Sequence, residues 1–195
     1  METKNSQQEK IEVLMDVAKD LCPKLPYHNY RHTIDVYSAI NTYASSNGVK
    51  NEEGFLLKTA ALLHDIVVVP GAKDNEEKSA EFARQYLPKI GYSHEQAQKV
   101  GQLILATKMP QNPNNYLEKL LCDADLDNLG RSDFLELGEK VRSEIGIPGG
   151  EKWYQQQLGF LKSHQYHTEV AKKIRNSGKI ANIQRLEKML QEEKC

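Results

Sequence analysis

Cysteine is scarce in this chain of 195 residues: Cys22, Cys122 and Cys195 are odd in number, widely separated and free of any CxxC spacing. That argues against a disulfide framework and against a thiolate zinc site, and it fits a reducing compartment. A surplus of one charge sign is missing as well. Lysine and arginine total 26 against 27 acidic residues, for a formal charge of -1, and no basic stripe of the kind that grips a phosphate backbone stands out. An extended nucleic acid is therefore not an expected partner. No window approaches the ~18 apolar residues that a membrane span requires, and the opening METKNSQQEKIEV holds no apolar core of signal-peptide length. The expectation is a soluble cytoplasmic protein with no membrane partner. P-loop, GxGxxG and GxSxG motifs are absent too, so nothing points to nucleotide-fold or serine-nucleophile chemistry.

What is present is helical periodicity. Few segments alternate with period two, and there is no internal repeat or low-complexity tract, so the expected fold is all-α. Ile11, Val13, Leu14, Val17, Ala18 and Leu21 share one face of a first helix over 10–21, which Pro23 and Pro26 stop. A second helix follows, with Asn29 as its N-cap, and ends before Gly48. The third, after Asn51, is apolar nearly all round and reads as a central buried helix leading into His64 and Asp65. Val67 to Val69 and then Pro70-Gly71 end it in a loop. Asp74 with Glu77, and Ser93 with Gln96, are spaced as capping boxes ahead of the fourth and fifth helices. Further helices are expected through Leu117 to Asp125, over 134–145, over 153–161 and over 168–190, the last kinked or split at Asn176 to Gly178. Eight or nine helices result.

Three stretches carry the chemistry. In TAALLHDIVVV, 59–69, an imidazole and a carboxylate stand side by side in an apolar run, where burial without a partner costs ~1 to 3 kcal/mol for each polar group and far more for a bare charge. A divalent ion compensates both at once; a backbone carbonyl for His64 and a helix cap for Asp65 are the alternative. YHNYRHT, 27–33, sets His28 and His32 four apart, hence on one helical face. LLCDADLDNLG, 120–130, supplies Asp123, Asp125 and Asp127. Imidazoles and carboxylates together suit first-row or hard divalent ions, leaving Mn, Fe, Co, Ni, Zn and Mg open, and two of each would leave coordination positions free for water. Metal-assisted hydrolysis is the natural reaction class.

The order His32, His64-Asp65, Asp125 resembles the H…HD…D signature of the HD-domain superfamily of metal-dependent phosphohydrolases. YHNYRHT, LLHDIVVVP, DNEEKSA, ILATK, DADLDNLG, WYQQQ and the late YHT are similar, in order and spacing, to a group of small bacterial proteins regarded as HD phosphohydrolases. The resemblance runs from about Tyr27 to the C-terminal helix. It implies a single helical domain over 1–195, with a metal-site core at about 27–130 and the helices of 131–195 packed on it. It implies His32, His64, Asp65 and Asp125 as ligands of one tightly held divalent ion, with Asp65 able to bridge to a second, weaker one. The implied activity is hydrolysis of a small-molecule phosphomonoester or phosphodiester, a nucleotide being one candidate, by a monomer or a homodimer.

YHNYRH is also similar to the corresponding stretch of cyclic-nucleotide phosphodiesterases, whose first histidine acts as general acid. This makes His28 the candidate proton donor to the leaving alkoxide; a helix-entry histidine bonded to backbone is the other reading. Asp123 competes with Asp125 as ligand, and the A-D-L context favours Asp125, leaving Asp123 to orient an imidazole. Glu76 and Glu77 stand where many two-metal HD proteins carry further histidines; a role near the metal and a capping role for Glu77 are compatible. Lys108 either neutralises a substrate phosphate or is a solvated helix-end lysine. His94 belongs on the surface, and His164 and His167 flank the last helix as caps or at the site's edge. Val68 and Val69 make the loop after Asp65 less polar than in such relatives. Two other classes share the scaffold: a non-catalytic module that binds metal or nucleotide and signals to a partner, and a diiron oxygenase, which needs extra histidines after the HD pair.

Overall fold

The computed structural model describes residues 4–46, 48, 49 and 51–192, so Cys195 lies outside the described residues. Among these residues there are nine α-helices and no strand. They are α1 (Lys4–Leu21), α2 (Tyr30–Ser46), α3 (Asn51–Leu63), α4 (Asn75–Tyr86), α5 (His94–Ala106), α6 (Tyr116–Asp125), α7 (Phe134–Ile145), α8 (Glu151–Ser163) and α9 (Glu169–Glu192), with 3-10 turns at Leu87–Ile90 and Asp127–Gly130. The all-α expectation holds. Among the described residues no helix is long and apolar enough to cross a membrane.

α3 is the centre of the packing. Phe55, Leu56, Leu57, Ala60, Ala61, Leu62 and Leu63 are all buried, on every side of the helix, because α1, α2, α5 and α6 all lie against it. Its uniformly apolar sequence is what such a position demands, since a helix with a solvent face would show a polar stripe. One core of buried side chains continues from Ile11 and Leu14 of α1 to Ala171 and Leu186 of α9.

Helix starts follow local chemistry where the cap is intact. Asn29 Oδ1 accepts from the Arg31 N–H at 2.9 Å, and the Ser93–Gln96 box has both of its bonds. The Asp74–Glu77 box does not form: Asp74 makes no cap bond and instead accepts from Lys78, while Glu77 pairs with Lys108. Two charged lysines outcompete backbone N–H groups for these exposed carboxylates. α1 begins at Lys4, six residues before the start expected from its apolar face, because its first turns are polar and carry no hydrophobic period.

α9 is the clearest correction. It runs unbroken through Asn176, Ser177 and Gly178. The glycine is there for contact, not for a break: a Cβ on Gly178 would lie 2.0 Å from the Gly130 carbonyl oxygen, and one on Gly130 would lie 2.4 Å from that of Arg175. α9 and the 127–130 turn meet backbone to backbone, and only hydrogen fits between them.

Candidate metal centre

Each element delivers its side chain by a short local device. His32 sits in the first turn of α2, His64 and Asp65 in the turn that follows α3, and Asp125 at the last position of α6. These helices pack on one another pairwise, so residues far apart in sequence converge. The nitrogen or oxygen atoms offered by His32, His64, Asp65 and Asp125 all lie within 4.8 Å of one another.

The spacing within this group suits an ion. His64 Nε2 lies 3.1 Å from Asp65 Oδ2, 3.2 Å from His32 Nε2 and 3.5 Å from Asp125 Oδ1. His32 Nε2 lies 3.3 Å from Asp65 Oδ2 and 3.4 Å from Asp125 Oδ1. A four-coordinate ion with bonds of about 2.0 to 2.1 Å sets neighbouring donors roughly 3.3 to 3.4 Å apart. The His64 Nδ1–H donates to the Ala61 carbonyl at 2.9 Å, which fixes the tautomer and turns the Nε2 lone pair inward. Two imidazole lone pairs and two carboxylates thus converge on one point, an arrangement that repels itself unless a cation or protons lie within it. Such a donor set fits a divalent ion and does not distinguish among Mn, Fe, Co, Ni, Zn and Mg.

The charges of the four groups act on one another strongly. Burial works to lower the His64 and His32 imidazoles, but Asp65 and Asp125 outweigh it and hold both above the usual histidine range. Burial works to raise Asp65 and Asp125, and the two histidines hold both below the usual carboxylate range. Opposite charge wins over desolvation because the partners are within hydrogen-bonding distance.

Around this group the other expected residues fall into distinct places. His28 stands one turn before His32, with Nε2 3.8 Å from Asp65 Oδ2. Its Nδ1 is bonded to Glu144 of α7, a residue the sequence reading did not single out. Glu144 also accepts the Tyr27 and His28 N–H groups at 3.0 Å each. Burial raises its carboxyl, yet the bonds from His28 and from these two amides prevail and hold it below the usual range. Both the His28 N–H and its ring are thus bonded to one side-chain carboxylate, which aims the ring from 116 residues away in sequence.

Glu77 and Lys108 are both exposed and pair with each other, so neither lies in the group of four. Glu76 is likewise outside the group of four; burial, reinforced by the charge of Asp65, raises its carboxyl. The expectation that Asp123 orients an imidazole is overturned. Asp123 is fully buried and accepts from the His167 N–H at 2.7 Å, the Thr168 N–H at 2.8 Å and the Thr168 hydroxyl at 2.6 Å, which makes it the anchor of the start of α9. Asp127 serves the interior, accepting from the Tyr43 hydroxyl and, on both oxygens, from Arg175. His94 is exposed, as expected. His164 caps the C-terminus of α8 with its ring nitrogens buried and unpaired. The loop after Asp65 is clipped to α4, Val67 by Ser79 and Val69 by Asn75, each through both N–H and C=O.

The family model of the HD domain matches residues 29–127, half of the chain, and spans all four convergent residues. The chain belongs to the HD domain family. The match opens at the cap of α2 and closes just past Asp125, so this HD domain has its signature residues within the matched segment. A comparison with curated proteins finds no match. Among solved structures, this HD domain is similar to Bacillus subtilis YpgQ, crystallised in complex with ADP, with a TM-score of 0.70 and 20% identity over 94% of this chain and 96% of that one. At that identity the likeness is one of fold.

Proposed function

We propose that this HD domain is a metal-dependent phosphohydrolase, cleaving a phosphomonoester or phosphodiester of a small molecule, with nucleotides as the preferred class. The observation that carries the reading is the convergence of two imidazoles and two carboxylates at ion-ligand spacing, with a carboxylate-aimed histidine beside them. The ADP found on the YpgQ fold favours a nucleotide.

His32, His64, Asp65 and Asp125 would hold the ion, whose Lewis acidity supplies a nucleophile from water and polarises a phosphoryl oxygen. The chain's own groups do the remainder. Glu144 fixes the His28 ring through Nδ1 and leaves Nε2 on the Asp65 side, from where His28 delivers a proton to the departing alkoxide. Lys108 exchanges its bond to Glu77 for a substrate phosphate. Glu76, whose carboxyl is raised by burial and by the Asp65 charge, would offer a further carboxylate for a second, weak ion.

The test is elemental analysis of protein purified without chelator, alongside His64→Ala, followed by a screen of phosphate esters with the metal found. About one ion per chain, lost in the variant, with ester cleavage in the wild type, is the expected result. Glu144→Gln should keep the ion and lose about 10- to 100-fold in kcat, the loss expected when a partner that orients a site histidine is removed. Absence of metal after reconstitution with Mn, Fe or Zn sinks the hydrolase reading.

A further inference from the structure

A cavity of about 770 Å³ lies between α1, the second half of α2, the first half of α3 and the start of α5. Small-molecule sites span about 300 to 1,000 Å³, so this is room for a ligand. None of the four convergent residues of the metal centre lines it. α3 connects the two places: Lys58 lines the cavity, and His64 follows further along the chain, roughly 9 Å on in the direction of the helix axis.

Lys58 is out of keeping with its helix. From Phe55 to Leu63 the sequence reads FLLKTAALL, with this lysine as its one charge. Lys58 is half-buried, and its ammonium makes no hydrogen bond or ion pair among the described residues, although a lysine drawn out of water is ordinarily paired. The other polar side chains of the wall divide. Gln8 is bonded to Glu12, Asn41 to the Tyr37 carbonyl, and Gln96 to Ser93 and to Glu52. Gln7, Ser45 and Asn51 make no side-chain bond among the described residues, and all three are uncharged. Ile11, Ala44 and Phe55, each buried, supply apolar lining. The cavity therefore offers one cation without an acceptor, several free neutral polar groups and an apolar wall.

We propose that this cavity is a second ligand site, for a small organic monoanion: a carboxylate that pairs with Lys58, carried on an apolar body that covers Ile11 and Phe55. The carboxylate accepts a charge-assisted bond from the ammonium, and burial of the apolar body supplies the remaining affinity. Glu52 is the one acidic residue of the lining, and it repels any further negative charge. That sets the ligand class apart from nucleotides and other phosphate esters. The site is independent of the reaction at the metal centre.

The probes are phenylacetate, benzoate and octanoate, each beside the alcohol of the same skeleton, titrated by calorimetry into the metal-loaded wild type, Lys58→Met, Ser45→Trp and His64→Ala. The wild type should bind one or more of the carboxylates saturably and about tenfold or more tighter than the matching alcohol, the value of a hydrogen bond to a charged group. Lys58→Met keeps the apolar stem, so it should lose that preference while melting no lower than the wild type, having shed an unpaired cation. Ser45 is an exposed wall position of α2, and a tryptophan there should fill the cavity and abolish binding of acid and alcohol alike, an arm that stands even if Lys58→Met does not fold. His64→Ala should bind as the wild type does. No saturable binding of any of the three carboxylates overturns the site. Equal binding of acid and alcohol overturns it too, leaving an apolar groove whose lysine merely reaches water. Binding that survives Lys58→Met or Ser45→Trp and disappears in His64→Ala places the carboxylate on the metal and overturns it as well.

Discussion

At the scale of single residues, the run Asp123, Asp125, Asp127 shows how far side-chain role depends on direction. Positions two apart on a helix point about 200° apart, so neighbouring aspartates cannot share a task. Asp123 turns to the start of α9, Asp125 to the two histidines, and Asp127 to Tyr43 and Arg175. Substitution should separate the roles cleanly. Asp123→Ala leaves two N–H groups and a hydroxyl without an acceptor and loosens Thr168, the residue that caps the longest helix, which costs about 2 to 4 kcal/mol, while its metal content stays at the wild-type level. Asp125→Ala does the reverse, losing bound metal with a far smaller effect on chelator-treated protein. Denaturant unfolding in chelator, paired with elemental analysis, reads both. If Asp123→Ala loses the ion while remaining folded, the assignment of these two carboxylates is inverted.

At the scale of helices, glycine and its surroundings decide stability in opposite directions. Gly178 lies inside α9 where alanine is favoured by about 1 kcal/mol on propensity alone, but its Cβ would be 2.0 Å from a backbone oxygen that has nowhere to go. Gly178→Ala should therefore destabilise by about 3 kcal/mol or more, and Gly159→Ala in α8, with nothing within 4 Å, should stabilise by roughly 0.5 to 1 kcal/mol. Equal melting shifts for the two would refute the backbone contact. The same contact explains a misreading: a glycine that permits close approach and one that ends a helix look alike in sequence, and only the neighbouring chain tells them apart. His32, His64, Asp65 and Asp125 are legible because polar groups set in apolar runs announce a cost locally. Glu144 is not, since its meaning comes from His28, 116 residues away, and Asp74 and Glu77 mislead because lysines outside the capping pattern claim them.

At the scale of the whole molecule, the pH response should carry the mark of one imidazole outside the metal centre, His164, whose ring nitrogens are buried. His164 closes α8, its two ring nitrogens buried and unpaired, its ring edge-on to Tyr166 at 4.7 Å. Burial, with the charges of Lys179 and His167, pushes its imidazole down to about 4. Above pH ~6.5, the ordinary histidine value, neither the folded nor the unfolded chain protonates this ring, and it contributes nothing to pH dependence. Between about 6.5 and 4 the unfolded chain takes up a proton that the folded one refuses, so stability falls as pH falls, levelling off once the folded form protonates too. The ring is partly solvated, so the loss is less than the full difference allows, on the order of 2 kcal/mol. His164→Phe keeps the aromatic shape, leaves the Lys179 bond to the 164 carbonyl in place and removes the titrating group. Melting temperatures from pH 7.5 to 4, taken in chelator so that metal release does not contribute, should show the wild type falling away below about 6.5 and the variant holding level until the carboxylates begin to protonate. Parallel curves for the two proteins would overturn His164 as the source of the acid limb; His32 and His64 do not supply it, since their partners hold them above the ordinary value and their contribution weakens in the opposite sense, as pH rises.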